Sequence, residues 1–245
     1  MGREGLFVAE GEVVLRVLAR SPMIAAQSLL LAQKRVEGLA DLIEGLPDGT
    51  PVYAASQAVM DQIVGFPIHR GILALGRRRA EPSAGELLAG LPEDALVLVL
   101  CGIGNHDNMG GLFRNAAAFG ADAVLLDQGC CDPLYRKAIR ISVGAALIKP
   151  YARLTAEEDV LDLLEQHGFT ALALSPRGAR TLAQTERDRR TAVLLGAEGP
   201  GLSEAVLKRA KAVRIPMADG FDSLNVAVTA GVVLHHLAFA ARRKD

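Results

Sequence analysis

The chain contains no tryptophan, and only three tyrosines and seven phenylalanines among 245 residues. Its core must therefore be built mainly from Leu, Val, Ile and Ala. Cysteine is scarce as well. Cys101, Cys130 and Cys131 include two sequence neighbours, so no disulfide framework and no zinc-ligand spacing emerges. No metal site is expected, and the thiols read as free groups in a reducing compartment. The longest apolar stretch, residues 226–240, is too short to span a bilayer and carries His235 and His236. With no N-terminal signal pattern in view, a cytoplasmic protein without a membrane partner is expected. A strong excess of either charge is also missing. The net charge of −1 argues against a uniformly basic nucleic-acid binder, though not against a local basic patch.

What is present is globular: half the residues are hydrophobic and 22% are charged. The length allows one large domain or two small ones. Short apolar runs alternate with helical patterns from end to end, which predicts an α/β fold with a parallel sheet. In the first part, residues 12–19 and 35–46 read as helices, and 28–32, 51–55 and 71–75 as strands. The stretch 76–94 is basic, then rich in Pro, Gly and Ser, and marks a domain boundary. It divides an N-terminal domain over 1–78, a linker over 79–92 and a C-terminal domain over 93–245. Beyond it, strands are predicted at 96–100, 123–126, 170–174, 192–195 and 213–215. Helices are predicted at 109–119, 134–142, 156–167, 203–211 and 224–240. Arg177, Arg180, Arg187, Arg189 and Arg190, followed by Lys208, Arg209, Lys211 and Arg214, form a late basic cluster. It reads either as a solvated face or as a surface that tracks phosphates.

Three glycine-marked loops carry the chemistry. The first, "CGIGNHDNMGG" (101–111), follows a strand as a dinucleotide-binding turn would, but Asp107 occupies the third glycine position of that fingerprint, where it would face a pyrophosphate. The second, "LLGAEGPGLSE" (194–204), places Glu198 between Gly196 and Gly199, with Ser203 set to cap the next helix. The third, "RIPMADGFDSLNVAVTAGVVLHHL" (214–237), opens a long apolar helix from a turn that contains Asp222, Ser223 and Asn225. Within the first loop and its helix, Arg114 is the sole formal charge between Asp107 and Asp122.

Taken in order, the three stretches resemble the motifs of the SpoU/TrmH family of RNA ribose 2′-O-methyltransferases, members of the knotted SPOUT superfamily. The residues that carry the resemblance are Asn108, Arg114, Asn115, Ala116, Phe119 and Gly120, then "GAEGPGL" (196–202), then "IPM" (215–217) and "SLNV" (223–226). Residues 5–14 and 65–76 are similar to the small RNA-binding domain found in many members. The resemblance implies a parallel sheet whose last segment threads a deep trefoil knot, and S-adenosylmethionine as cofactor. It implies cofactor contacts at Gly196, Ile215, Met217 and Leu224, with Ser175 a further candidate. Arg114 is implied as the catalytic residue, with Asn108, Glu198, Ser223 and Asn225 orienting it, the loops and the nucleotide. Since a guanidinium is a poor base near neutrality, Arg114 reads better as a stabiliser of the developing alkoxide than as a proton acceptor. Glu198 could pair with Arg114 or with a loop amide.

The implied substrate is structured RNA, either tRNA or rRNA. The implied assembly is a homodimer that uses the helix at 224–240. A catalytically inactive RNA-binding protein that keeps the knotted fold is the alternative. Ala227 stands where the family often has Ser, so a hydroxyl contact near the cofactor is expected to be missing. The arm before Glu10 is expected to be short.

Overall fold

The computed structural model describes residues 5–65, 70–78 and 80–240. Two compact units account for the chain: Met1–Ala80 with Asp132–Ile148, and Glu81–Cys131 with Lys149–Asp245.

The first unit runs β1 (Leu6–Glu10), α1 (Glu12–Ala19), β2 (Ile24–Ala32), α2 (Ala40–Glu44), β3 (Val52–Ala55), α3 (Gln57–Val64) and β4 (Ile72–Arg78). Its strands lie in the order β1-β4-β2-β3, antiparallel except where β2 meets β3. The turn from β1 into α1 goes through Gly11 at φ 94, a conformation that favours glycine. Helix α1 buries Val14, Leu15 and Leu18 and turns Arg16 outward to Glu12 and Asp41, at 3.0 and 2.8 Å. The helix predicted over 35–46 breaks into short turns at Gln33–Arg35 and Glu37–Leu39 before α2. Gly38 inside the run weakens a continuous helix. Residues 66–69, within the stretch 65–76 that resembles an RNA-binding domain, lie outside the described residues.

The second unit follows as α4 (Ala84–Ala89), β5 (Ala95–Cys101), α5 (His106–Ala118) and β6 (Ala123–Leu126). The chain then gives α6 (Arg136–Ile141) to the first unit. It continues as β7 (Tyr151–Arg153), α7 (Val160–Gln166), β8 (Thr170–Leu174), β9 (Arg180–Thr181), β10 (Arg190–Gly196), α8 (Glu204–Arg209), β11 (Lys211–Arg214) and α9 (Val226–His235). The seven strands lie in the order β7-β6-β5-β10-β8-β11-β9, and every pairing is parallel. Strand β5 has no charged side chain because both of its faces are covered, as parallel sheets require. Residues 95–100 are all buried. One face of the sheet packs Val97, Val99, Leu125, Ala192 and Leu194 against Leu88, Leu161 and Leu164 from the helices. Behind the sheet, Phe113 of α5 meets Tyr151 edge to face, with ring centroids 5.7 Å apart.

The stretch 79–92, read above as a linker, contains α4. The Ser83 hydroxyl accepts from Glu86 N at 3.2 Å, and the Glu86 carboxylate accepts from Ser83 N at 2.9 Å. The Ser83 hydroxyl, donating to Glu86 Oε2 at 2.7 Å, and then the Ser83 N–H hold the Glu86 carboxyl below the usual carboxylate range. Ala84 and Leu88 are completely buried in the core of the second unit, so Ser83 starts a packed helix here. Residues 132–148 fold with the first unit. There Arg78 Nη2 donates to both oxygens of Asp132, at 2.7 and 2.8 Å, and Gly144, at φ 85, lies under Val17.

Part of the basic cluster is structural. Arg187 is 8% exposed and pairs with Asp94. Arg209 pairs with Asp159 and Asp162, Lys211 with Asp188, and Lys208 with Glu204. Arg214 donates to the carbonyls of Gly178 and Ala179. Arg190 lies over the Phe169 ring at 4.4 Å and donates to the carbonyls of Leu88, Leu91 and Pro92 at 2.8, 3.4 and 3.0 Å. A cation at the carbonyl end of α4 opposes the helix dipole and satisfies acceptors left open there. Reading these side chains as a phosphate-tracking surface is therefore corrected for Arg187, Arg190 and Arg214, whose guanidinium groups are engaged by Asp94 and by backbone carbonyls; Arg209 and Lys211 are exposed. Arg190→Ala is expected to destabilise the protein by about 2 kcal/mol, the scale of hydrogen bonds from a charged donor, as measured by urea denaturation.

Candidate active site

Because β8, β10 and β11 are parallel, their carboxyl ends meet at one edge of the sheet, where open α/β folds place their ligands. Three loops leave that edge: 175–179, 197–203 and 215–225. Together they line a cavity of about 500 Å³, within the span of small-molecule sites, roughly 300–1,000 Å³. Gly196, Ile215, Met217 and Leu224 all line it, and Ser175 does too. Glu198, Ser223 and Asn225 stand on its wall.

The loops approach each other without room for side chains. A Cβ on Gly196 would fall on the carbonyl carbon of Gly201 and the nitrogen of Leu202. The loop after β10 folds back on itself, with Gly201 N donating to Ala197 O at 3.0 Å. Leu202 then enters the core and Ser203 caps α8 by accepting from Val206 N. Gly178, which no motif singles out, plays the same part in the loop after β8: a Cβ there would fall on the backbone between Val213 and Arg214. A glycine alone in an irregular loop gives no signal in sequence.

Asn225 ties the polar wall together. Its Oδ1 caps α9 by accepting from Ala227 N and Val228 N, at 2.9 and 3.3 Å. Its Nδ2 donates to Asn108 Oδ1 and to Glu198 Oε1, each at 2.9 Å. The expected partner of Glu198 was Arg114 or a loop amide; the carboxylate instead accepts from Asn225. Asn108 is buried at 8% exposure and backs the wall without lining the cavity. Ser223 is exposed, and its hydroxyl donates to Asp222 Oδ1 at 3.2 Å.

Arg114 is exposed on α5. Among the described residues no hydrogen bond or ion pair engages its guanidinium, and it does not line the cavity. Helices α5 and α9 run side by side in the same direction. Asn108 meets Asn225, Gly111 meets Ala227, Asn115 meets Ala227 and Gly231, and Phe119 meets His235. Counted at about 100° per residue from those contacts, Arg114 falls on the same face of the pair as Val228 and Val232. Those two are 53% and 42% exposed, and Phe239, in the π-helical turn His236–Ala240 that follows α9, is 68% exposed.

Ala227 faces α5, where a Cβ placed on Gly111 would come within 2.8 Å of its own Cβ. The missing family serine therefore belongs to the helix contact; Ala227 is not among the cavity residues. Asn115, a motif residue given no role above, donates from Nδ2 to Ala227 O at 2.6 Å. Nearby, burial pushes the thiols of Cys101 and Cys130 up to about 12, with Asp127 adding to the shift. Among the described residues no His, Cys, Asp and Glu cluster could hold a metal ion, and no helix is long and apolar enough to cross a membrane.

Residues 95–235 match the sequence profile of the SpoU rRNA Methylase family. An uncharacterized tRNA/rRNA methyltransferase of Mycobacterium tuberculosis is 41% identical over 238 residues, covering 95% of this chain and 80% of its own. The 23S rRNA (guanosine-2′-O-)-methyltransferase RlmB of Escherichia coli is 28% identical over 226 residues, covering 90% and 93%. In fold, the chain superposes on the SpoU methyltransferase AviRb of Streptomyces viridochromogenes, solved with AdoMet. The TM-score is 0.79 at 24% identity, over 95% of this chain and 89% of that one.

Thiolates are the reactive species of cysteine, so iodoacetamide near neutral pH should leave Cys101 and Cys130 unmodified in the native protein. Both should label once the protein is denatured, as peptide mass spectrometry would show.

Proposed function

The chain belongs to the SpoU rRNA methylase family, and we propose that it methylates a ribose 2′-hydroxyl in structured RNA, tRNA or rRNA, working as a homodimer. The observation that carries this reading is the convergence of the three motifs at the cavity. The apolar and glycine positions line it, while Asn108, Asn225 and Glu198 join into one hydrogen-bonded wall. The cavity's size and its mixed apolar and backbone lining fit S-adenosylmethionine, with Ile215, Met217 and Leu224 against the adenosine and backbone groups near Gly196 as polar partners. Bound there, S-adenosylmethionine supplies a sulfonium-activated methyl group for in-line attack by the ribose oxygen.

The chain's own residues then orient the nucleotide and manage charge. Arg114 carries a guanidinium, a planar group that only donates hydrogen bonds. Exposed on α5, it is open to an RNA phosphate and to the 2′-oxygen. Its positive charge stabilises the alkoxide as it develops, and the proton leaves through water or the phosphate. Asn225 holds Glu198 and Asn108 in place and keeps the start of α9 beside the cavity. Ser223 offers a hydroxyl at the cavity wall.

The homodimer rests on the exposed apolar pair Val228 and Val232 of α9, with Phe239 exposed just beyond it, surface that a soluble helix seldom leaves uncovered. That valine pair shares a face with Arg114, so a second subunit there would border the catalytic arginine. The tight backbone crossings at Gly178 and Gly196 support the trefoil knot that the family resemblance implies.

Arg114→Ala is expected to bind S-adenosylmethionine within about twofold of the parent in calorimetry, and to lose about a hundredfold or more in methyl transfer to RNA, the scale for removing a charge-stabilising donor. Near-parental turnover would remove the assigned role, and no heat with the parent protein would remove the enzyme reading. Val232→Glu should shift sedimentation from dimer to monomer; a parental dimer would place the interface elsewhere.

A further inference from the structure

We infer that Asn115 is a positioning residue for methyl transfer: its side-chain amide fixes the first turn of α9 against α5 and thereby sets where Arg114 stands relative to the cavity. The inference rests on the function proposed above, in which Arg114 is the catalytic group.

The contact between α5 and α9 is made of very small groups. Gly111 faces Ala227, where an added Cβ would come within 2.8 Å of the alanine's Cβ. One turn further along, Gly231 faces Asn115, whose Nδ2 and Oδ1 would lie 3.4 and 3.5 Å from a Cβ at position 231. Such surfaces bring helix backbones close together but carry few knobs to lock one helix against sliding or rolling on the other. Two polar links supply that lock. At the amino end, Asn225 Nδ2 donates to Asn108 Oδ1 at 2.9 Å. One turn or more toward the carboxyl end, Asn115 Nδ2 donates to Ala227 O at 2.6 Å.

The two links differ in what they control. Asn225 belongs to the cavity wall and also holds Glu198, so its bond to Asn108 seats the wall. Asn115 does not line the cavity; it is peptide-bonded to Arg114. A carbonyl oxygen has two lone pairs, so Ala227 O can keep its place in the helix ladder of α9 and still accept from Asn115. The acceptor lies two residues beyond Asn225, and Val226 between them lines the cavity. The path from the cavity wall to Arg114 is therefore short: Val226, Ala227 O, Asn115 Nδ2 and one peptide bond. A slip of one residue along a helix is about 1.5 Å, and a misplacement of about 1 Å at a reacting group can cost about a hundredfold in rate. A hydrogen bond that adds little to stability can therefore weigh heavily on turnover.

The test compares Asn115→Ala, Gly231→Val and Arg114→Ala with the parent enzyme. Each is measured for kcat, KM for RNA, S-adenosylmethionine affinity by calorimetry, and Tm, with assays run well below every Tm. Asn115→Ala should lower kcat by about tenfold to a hundredfold while cofactor affinity stays within about twofold. Gly231→Val leaves Asn115 in place but crowds its amide off the Ala227 carbonyl, and should reproduce the same loss in kcat. A residue that merely packs helices would lower Tm and leave kcat at the assay temperature unchanged. That result in either folded variant, alongside an inactive Arg114→Ala, overturns the inference. Normal turnover in Arg114→Ala overturns the underlying assignment instead.

Discussion

One carboxamide, that of Asn225, holds together three segments that are far apart in the chain. Its oxygen starts α9 and its nitrogen reaches both the loop after β10 and the first turn of α5. All the hydrogen-bonding capacity of the group that faces protein is used, so it has little freedom to rotate. An aspartate could cap α9 equally well, but it has no N–H to offer Asn108 or Glu198. The glycine crossings at 178 and 196 bring the loops near enough for this wall to form, and the small residues between α5 and α9 do the same for the helices. Close approach of backbones is the common requirement, with polar side chains fixing what glycine leaves loose.

The division of labour follows from the sheet. Strands β5 and β6 are apolar throughout, and β10 carries polar side chains only at its start, where Arg190 and Thr191 donate to backbone carbonyls, so the sheet gives a rigid base. Irregular backbone is confined to the carboxyl edge, where the loops can turn their amides and carbonyls toward a ligand. The exposed arginine sits outside this arrangement, on the flank of a helix whose other sides are occupied by Phe113, Leu112 and α9. Among the described residues no carboxylate pairs with its guanidinium, which leaves its charge available to an incoming phosphate.

Much of this was legible in the sequence, for definite reasons. Strand β6 and strand β8 fall on the predicted residues, and β5 and β10 extend one or two residues beyond them, because uninterrupted apolar runs of that length have few other fates. The cavity residues Gly196, Ile215, Met217 and Leu224 came from the resemblance, and the fold brings all four to one place. Other features gave misleading or no signal. Pro82 and Ser83 looked like the end of a domain, yet Ser83 and Glu86 have the spacing of a capping box and open a helix that enters the core. The arginines at 187 and 190 looked like a surface patch because their partners, Asp94 and the carbonyls closing α4, lie about a hundred residues away. Ala227 looked like a lost cofactor contact because a motif records identity and says nothing of direction. Its side chain points at Gly111.

The segment 132–148 gives the first unit a history as well as a shape. That unit cannot be completed by the first eighty residues alone, since α6 and the turn at Gly144 come from a stretch made only after β5, α5 and β6. On the ribosome, chains grow at about 5–20 residues per second and amino-terminal domains ordinarily fold first. Here Glu10, Val17 and Arg78, the partners of Arg136, Gly144 and Asp132, must wait while more than fifty further residues emerge. During that interval β1 and β4 can pair, but the surface meant for α6 faces water. Its closure comes when β6 has already been made, so the two units mature as an interleaved pair and not in succession. A fragment cut at the sequence boundary would be left in that waiting state.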